Sequence, residues 1–296
     1  MPAIGFVDDK GARVTFADAL AGKGAFAIGR PLLAAMATTQ IKERYCDASV
    51  TELLPIGMQR QRFLRARHDY HVDPNGLIDL TWGLAMHGLL EKHAQPGVTV
   101  EGSLTVDLDG LRVGGTPDTR QLWKPGTLRK GWALDMRDWK TTNVGNVGYI
   151  IEKPDEKLAE FTGQINAYWT LENISPDSIV IKAGLKPENV EPVLTLVMLS
   201  RDYRKREAAF KNPKRPYPHW HEPFDIPALP VAETLAGLRA AVRAWKKSQK
   251  LTDDDLPKCD PSLLYGGRKC RDYCEAREFC RYAAENIEKL AGSRNW

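Results

Sequence analysis

The segment Pro192–Leu199, PVLTLVML, is apolar at every position but Thr195, and this restricts the folds open to the chain. A surface strand or an amphipathic helix keeps a polar face, whereas this run has none. It reads as a central strand buried on both sides of a sheet. Such a strand needs covering layers, and helical patterns flank it. Asp155–Leu171 sets Phe161, Gln164, Ile165 and Tyr168 on one helical face, and Ala232–Gln249 is amphipathic.

Upstream, Leu77–Ala94 reads as a helix with Leu80, Leu84, His87 and Glu91 in one stripe. Gly83 and Gly88 would let it lie close to a sheet. Val98–Leu108 alternates as a strand, Asp109-Gly110 supplies a hairpin turn, and Leu111–Asp118 forms the return arm. Trp132–Trp139 is a third strand. Ser49-Val50-Thr51-Glu52 has the residues of a capping box at a helix start. Residues 1–45 show weak periodicity, which predicts irregular structure with a strand or short helix. The order is helix, three strands, helix, strand. It predicts an α/β domain over residues 1–255, extended by helices at both ends, with a cysteine-rich segment, residues 256–296, packed on it.

Two short stretches carry the chemistry: Gly114–Asp118, ending in Pro-Asp, and Asp135–Thr141, containing Asp138-Trp139-Lys140. Side chains alternate along a strand, so Asp138 and Lys140 share a face. An acid from the preceding strand, Asp118, can meet that face. Two carboxylates hold a hard divalent cation, and an ammonium beside them orients a water or stabilises developing negative charge. That equipment suits phosphodiester cleavage.

The 296 residues contain no apolar run long enough to span a bilayer and no charged-then-apolar leader, so a cytoplasmic location without membrane contact is expected. A net charge of +4 permits a nucleic-acid partner without demanding one. Basic residues concentrate at Arg204, Lys205, Arg206, Lys211, Lys214 and Arg215, with Phe210, Tyr217 and Trp220 among or just after them. Interleaved basic and aromatic groups can track a phosphate backbone and stack bases; a solvated loop is the plainer alternative.

The predicted αβββαβ order, with Pro-Asp on the second strand and Asp-x-Lys on the third, resembles the restriction-endonuclease-like core of the PD-(D/E)XK nuclease superfamily, with its mixed central sheet. Three further matches are similar to the RecB-like exonuclease branch, of the phage and CRISPR-associated type with a cysteine-rich C-terminal tail. These are His87 in Met-His-Gly-Leu-Leu-Glu, the Asp-Trp-Lys-Thr stretch, and Gln164 with Tyr168 in Q-x-x-x-Y. The resemblance implies that His87, Asp118, Asp138 and the carbonyl of Trp139 ligate a catalytic Mg2+ or Mn2+. It also implies that Lys140 sits beside the attacking water and that Gln164 and Tyr168 line the substrate side. Glu91 either orients His87 or makes a plain helix salt bridge.

Of five cysteines, Cys259, Cys270, Cys274 and Cys280 crowd into the last forty residues. Without a secretion signal, such clustering suggests a metal site before disulfides. Four thiolates suit a [4Fe–4S] cluster or structural zinc, with plain buried cysteines as the alternative. The resemblance implies iron–sulfur. The branch's own tail, however, spaces its last three cysteines C-x2-C-x5-C and takes its first from upstream. Here the spacing of Cys270 and Cys274 is one residue longer, and Cys46 precedes the Ser49-Val50-Thr51-Glu52 helix start where the branch's upstream cysteine follows it near the position of Pro55, so Cys259 is the expected fourth ligand, with Cys46 as the alternative.

The function expected is metal-dependent DNA cleavage, exonucleolytic, in recombination, repair or phage DNA processing. Expected partners beyond DNA are further copies of the chain or a helicase. A catalytically weak DNA-binding or assembly module of the same fold is the competing expectation.

Overall fold

A computed structural model describes residues 3–40, 45–54, 59–126, 130–203, 219–259, 270, 271, 274–283, 285 and 287. Along the chain run β1 (Ala3–Val7), β2 (Arg13–Thr15), α1 (Phe16–Leu20), α2 (Arg30–Gln40), β3 (Ala48–Ser49), α3 (Val50–Leu53), α4 (Gln59–Arg67) and β4 (Tyr70–Val72). Next come α5 (Ile78–Lys92), β5 (Val98–Val100), β6 (Leu104–Leu108), β7 (Leu111–Gly115), β8 (Thr119–Trp123) and β9 (Trp132–Thr142). Then come α6 (Val144–Glu152), α7 (Pro154–Ile174), α8 (Ile179–Lys182), β10 (Val190–Ser200), β11 (His221–Ile226) and α9 (Val231–Gln249). The fold is mixed α/β with mixed sheets. No helix among the described residues is long and apolar enough to cross a membrane.

The chain divides into two compact units: Met1–Arg44 with Pro55–Thr81 and Arg243–Trp296, and Tyr45–Leu54 with Trp82–Val242. These limits are drawn on different lines from a break at residue 255.

In the first unit β1 pairs antiparallel with β2 and parallel with β4. Phe6, Phe16, Leu33, Met36, Tyr70 and Val72 close a core over this small sheet. Asp8 helps to hold its edge by accepting backbone N–H groups from Lys10, Ala12 and Ala25. The N-terminal segment is therefore more regular than its weak periodicity suggests, and it adds strands as well as helices.

The second unit holds the five-stranded sheet β11-β10-β9-β8-β5 and the three-stranded sheet β3-β7-β6. The apolar run lies inside β10, parallel to β9 and antiparallel to β11, and Leu194 to Leu199 are all buried. Helix α7 packs against β6, β9, β10 and β11, with Ile165 and Tyr168 buried as the helical face requires. The Ser49 capping box forms, although the helix it opens is short. The Asp109-Gly110 turn has φ of 53° and 72°, the positive values a two-residue hairpin turn of type I′ needs.

Three sequence expectations change. Val98–Leu108 is not one strand: β5 joins the large sheet through β8, and β6 joins the small one through β7. Leu111–Asp118 likewise ends at Gly115, and Asp118 immediately precedes the separate strand β8. The stripe on α5 is also narrower than its spacing suggests, because Leu80 and Glu91 are exposed while Leu84 and His87 are half-buried.

Candidate metal centre

Four elements of the second unit converge. Helix α5 brings His87, the link from β5 to β6 brings Glu101, the residue before β8 is Asp118, and β9 carries Asp138 and Lys140. Strands β8 and β9 are antiparallel with Thr119 opposite Arg137. Continued by one residue, that register sets Asp118 opposite Asp138.

One ligand atom each from His87, Glu101 and Asp118 lies within 4.8 Å of the others. His87 Nδ1 is 2.5 Å from Glu101 Oε1 and 3.4 Å from Asp118 Oδ1. The other Asp118 oxygen accepts the backbone N–H of Trp139 at 2.5 Å. Trp139 thus meets Asp118 through its N–H, where the resemblance implies a role for its carbonyl. Asp138 lies outside the three-residue group. Its Oδ2, closed off from solvent, meets Lys140 Nζ at 2.7 Å as a skewed ion pair that falls short of a well-aligned hydrogen bond. The two side chains do share a face, as a D-x-K on a strand demands.

The electrostatics are those of excess negative charge out of water. Burial, and then the charge of Asp138, push the Asp118 carboxyl up to about 7. The hydrogen bond to Glu101 holds the His87 imidazole above its ordinary range against the opposing effect of burial, with Asp118 adding to the rise. Burial pulls Lys140 down, but the charges of Asp138 and Asp118 outweigh it, so the ammonium is retained above its usual range. Gln164 Nε2 donates to Tyr168 Oη at 2.7 Å. Burial and Asp138 push the Tyr168 phenol upward, so it remains neutral.

A carboxylate forced towards protonation with an imidazole and a second carboxylate, Glu101, beside it makes a donor set suited to a hard divalent cation. Glu101 is the member that sequence reasoning missed; Glu91, considered there as a partner of His87, is exposed. One signal pointed to Glu101: Gly102 interrupts a strand pattern, which marks a bulge or break.

In the first unit Cys270 is buried and packs with Cys259, Cys274 and Ile287. Burial pushes the Cys259 thiol up and the Cys274 thiol up to about 12. Backbone N–H groups of Gln61 and Arg60 point at Cys259, that of Ala276 points at Cys274, and Arg60 Nε donates to Cys280 Sγ at 3.3 Å. Donors of this kind stabilise thiolates. Cys46 is buried in the second unit beside Gly114, where a Cβ would come within 2.8 Å of its sulfur. Arg204, Lys205, Arg206, Lys211, Lys214 and Arg215 lie outside the described residues.

No family model matches the chain, and no curated protein matches it. Among solved structures, one described as the crystal structure of SSO0001 is similar, with a TM-score of 0.43 and 12% identity over 85% of this chain and 94% of that one.

Proposed function

We propose that this chain is a divalent-metal-dependent DNA nuclease built on a restriction-endonuclease-like core, acting from DNA ends inside the cell. The observation that carries the reading is the meeting of His87, Glu101 and Asp118 within 4.8 Å, across paired strands from the Asp138–Lys140 ion pair. His87, Glu101 and Asp118 would hold Mg2+ or Mn2+, with Asp138 and the Trp139 carbonyl completing the set. An imidazole ligand shifts preference somewhat towards manganese. A bound cation supplies positive charge against the phosphoryl group.

The chain's own side chains do the rest. Lys140, kept as an ammonium, orients the attacking water and offsets negative charge as it develops in line with the leaving oxygen. Gln164 and Tyr168, linked to each other, line the substrate side. Arg204, Lys205, Arg206, Lys211, Lys214 and Arg215 supply contacts to the phosphate backbone.

Cys259, Cys270, Cys274 and Cys280 would hold a [4Fe–4S] cluster that ties the C-terminal segment down.

Digestion of end-labelled linear and closed circular DNA with Mn2+, with and without chelator, tests the reading. Release of label from linear DNA, abolished by chelator and absent on circles, is expected. No cleavage of either substrate would favour a DNA-binding or assembly module instead.

A further inference from the structure

Behind the metal centre lies a buried ion pair that takes no part in the chemistry described above. Arg120 and Glu172 have side chains 2% and 0% exposed and are paired through Arg120 Nη1 and Glu172 Oε1. The other Glu172 oxygen accepts from Ser178 Oγ at 2.5 Å and from the Ile179 N–H at 3.2 Å. Arg120 Nε is buried with no hydrogen-bond partner. Buried pairs of this kind are poor stabilisers, since apolar replacements of similar volume are often neutral or better. Stability alone is a weak reason for this one.

The remaining donor of Arg120 shows what the pair does. Nη2 donates to the Gly102 carbonyl at 2.9 Å. A Cβ on Gly102 would lie 2.2 Å from that nitrogen, so a glycine is what lets the guanidinium reach the backbone. The preceding residue, Glu101, has φ of 51°, a left-handed conformation that a non-glycine residue keeps only where its surroundings enforce it. Two hydrogen bonds enforce it here. The Glu101 N–H donates to the Asp118 carbonyl at 3.1 Å, and the next carbonyl is taken by Arg120.

We propose that Arg120, braced by Glu172, is a positioning residue: it locks the Glu101–Gly102 turn so that the Glu101 carboxylate faces His87, and thereby sets the affinity of the centre for its divalent ion. The proposal rests on the metal reading given above. It adds a support lying behind the ligands, whose loss typically weakens metal binding about 10-fold to 100-fold.

The test is calorimetric titration of the full chain with Mn2+. Arg120→Met with Glu172→Met removes both charges together, so neither is left buried alone, and circular dichroism checks the fold. Gly102→Ala, which keeps both charges but crowds the contact, is the second variant if the first does not fold. Either change is expected to weaken Mn2+ binding about tenfold or more. In a Glu101→Gln background the same change should cost little further, because its effect passes through Glu101. Wild-type affinity in a folded variant, or an equal loss with and without Glu101, overturns the proposal. A wild type that takes up no Mn2+ is a separate result, which sinks the metal reading itself.

Discussion

Lys140 Nζ lies 2.7 Å from Asp138 Oδ2, two residues along the same strand and on the same face. The carboxylates around it hold its pKa above the ordinary range, so at neutral pH it is a cation and cannot serve as a base. Lys140→Met should therefore slow cleavage by about 10²-fold to 10³-fold, the usual cost of losing a charge-stabilising donor. Mn2+ affinity should be unchanged or tighter, because a like charge is removed. Parallel cleavage and titration measurements check both outcomes; weakened metal binding would show Lys140 acting on the ion.

Metal uptake should depend on pH. In the metal-free fold Asp118 holds its proton up to about 7, against an ordinary value of 3.8. The native state thus binds more protons than the unfolded chain between those values, and Asp118 makes metal-free stability fall as pH rises through that window. A cation must displace that proton and needs His87 neutral as well. Mn2+ affinity should therefore rise from pH 5.5 to pH 8, and the gain in melting temperature on adding Mn2+ should grow with it. Titrations at the two pH values giving equal affinity would contradict this.

Much of the fold was legible because local rules and burial agreed. A run without a polar face belongs inside a sheet, and Pro192–Leu199 is there. Period-two alternation brought Asp138 and Lys140 to one side, and the capping box at Ser49 formed. Glu101 was not picked out, because Val-Thr-Val before it and Leu-Thr-Val after Ser103 look like one alternating strand in which only Gly102 hints at a break. The break comes from a left-handed φ stabilised by contacts with Asp118 and Arg120, which are distant in sequence. The N-terminal sheet escaped notice for a similar reason. Its strands are three to five residues long, too short for a pattern to register.

The cysteine site makes a compositional prediction. Purified without oxygen, the protein should be brown and contain about four iron and four sulfide per chain, the content of one [4Fe–4S] cluster. Cys259→Ser should lose most of it, while Cys46→Ser should keep it. A colourless protein with one zinc per chain would replace the cluster reading.

Arg60 is 1% exposed and donates to the carbonyls of Leu256 and Asp253 as well as to Cys280. Arg60→Met leaves those carbonyls without their donor, at a cost of about 2–4 kcal/mol in all. Urea unfolding should show the loss, and Cys46→Ser serves as a comparison in which no such anchor is cut. A midpoint and slope equal to those of the wild type would show that the tail does not depend on Arg60.

The most direct test of the metal centre is the rate at which wild type and Asp118→Asn release label from linear DNA ends in Mn2+. Wild-type cleavage that chelator stops, with a drop of at least about 10²-fold in a folded Asp118→Asn protein, is the predicted result. Equal rates in the two proteins would contradict it.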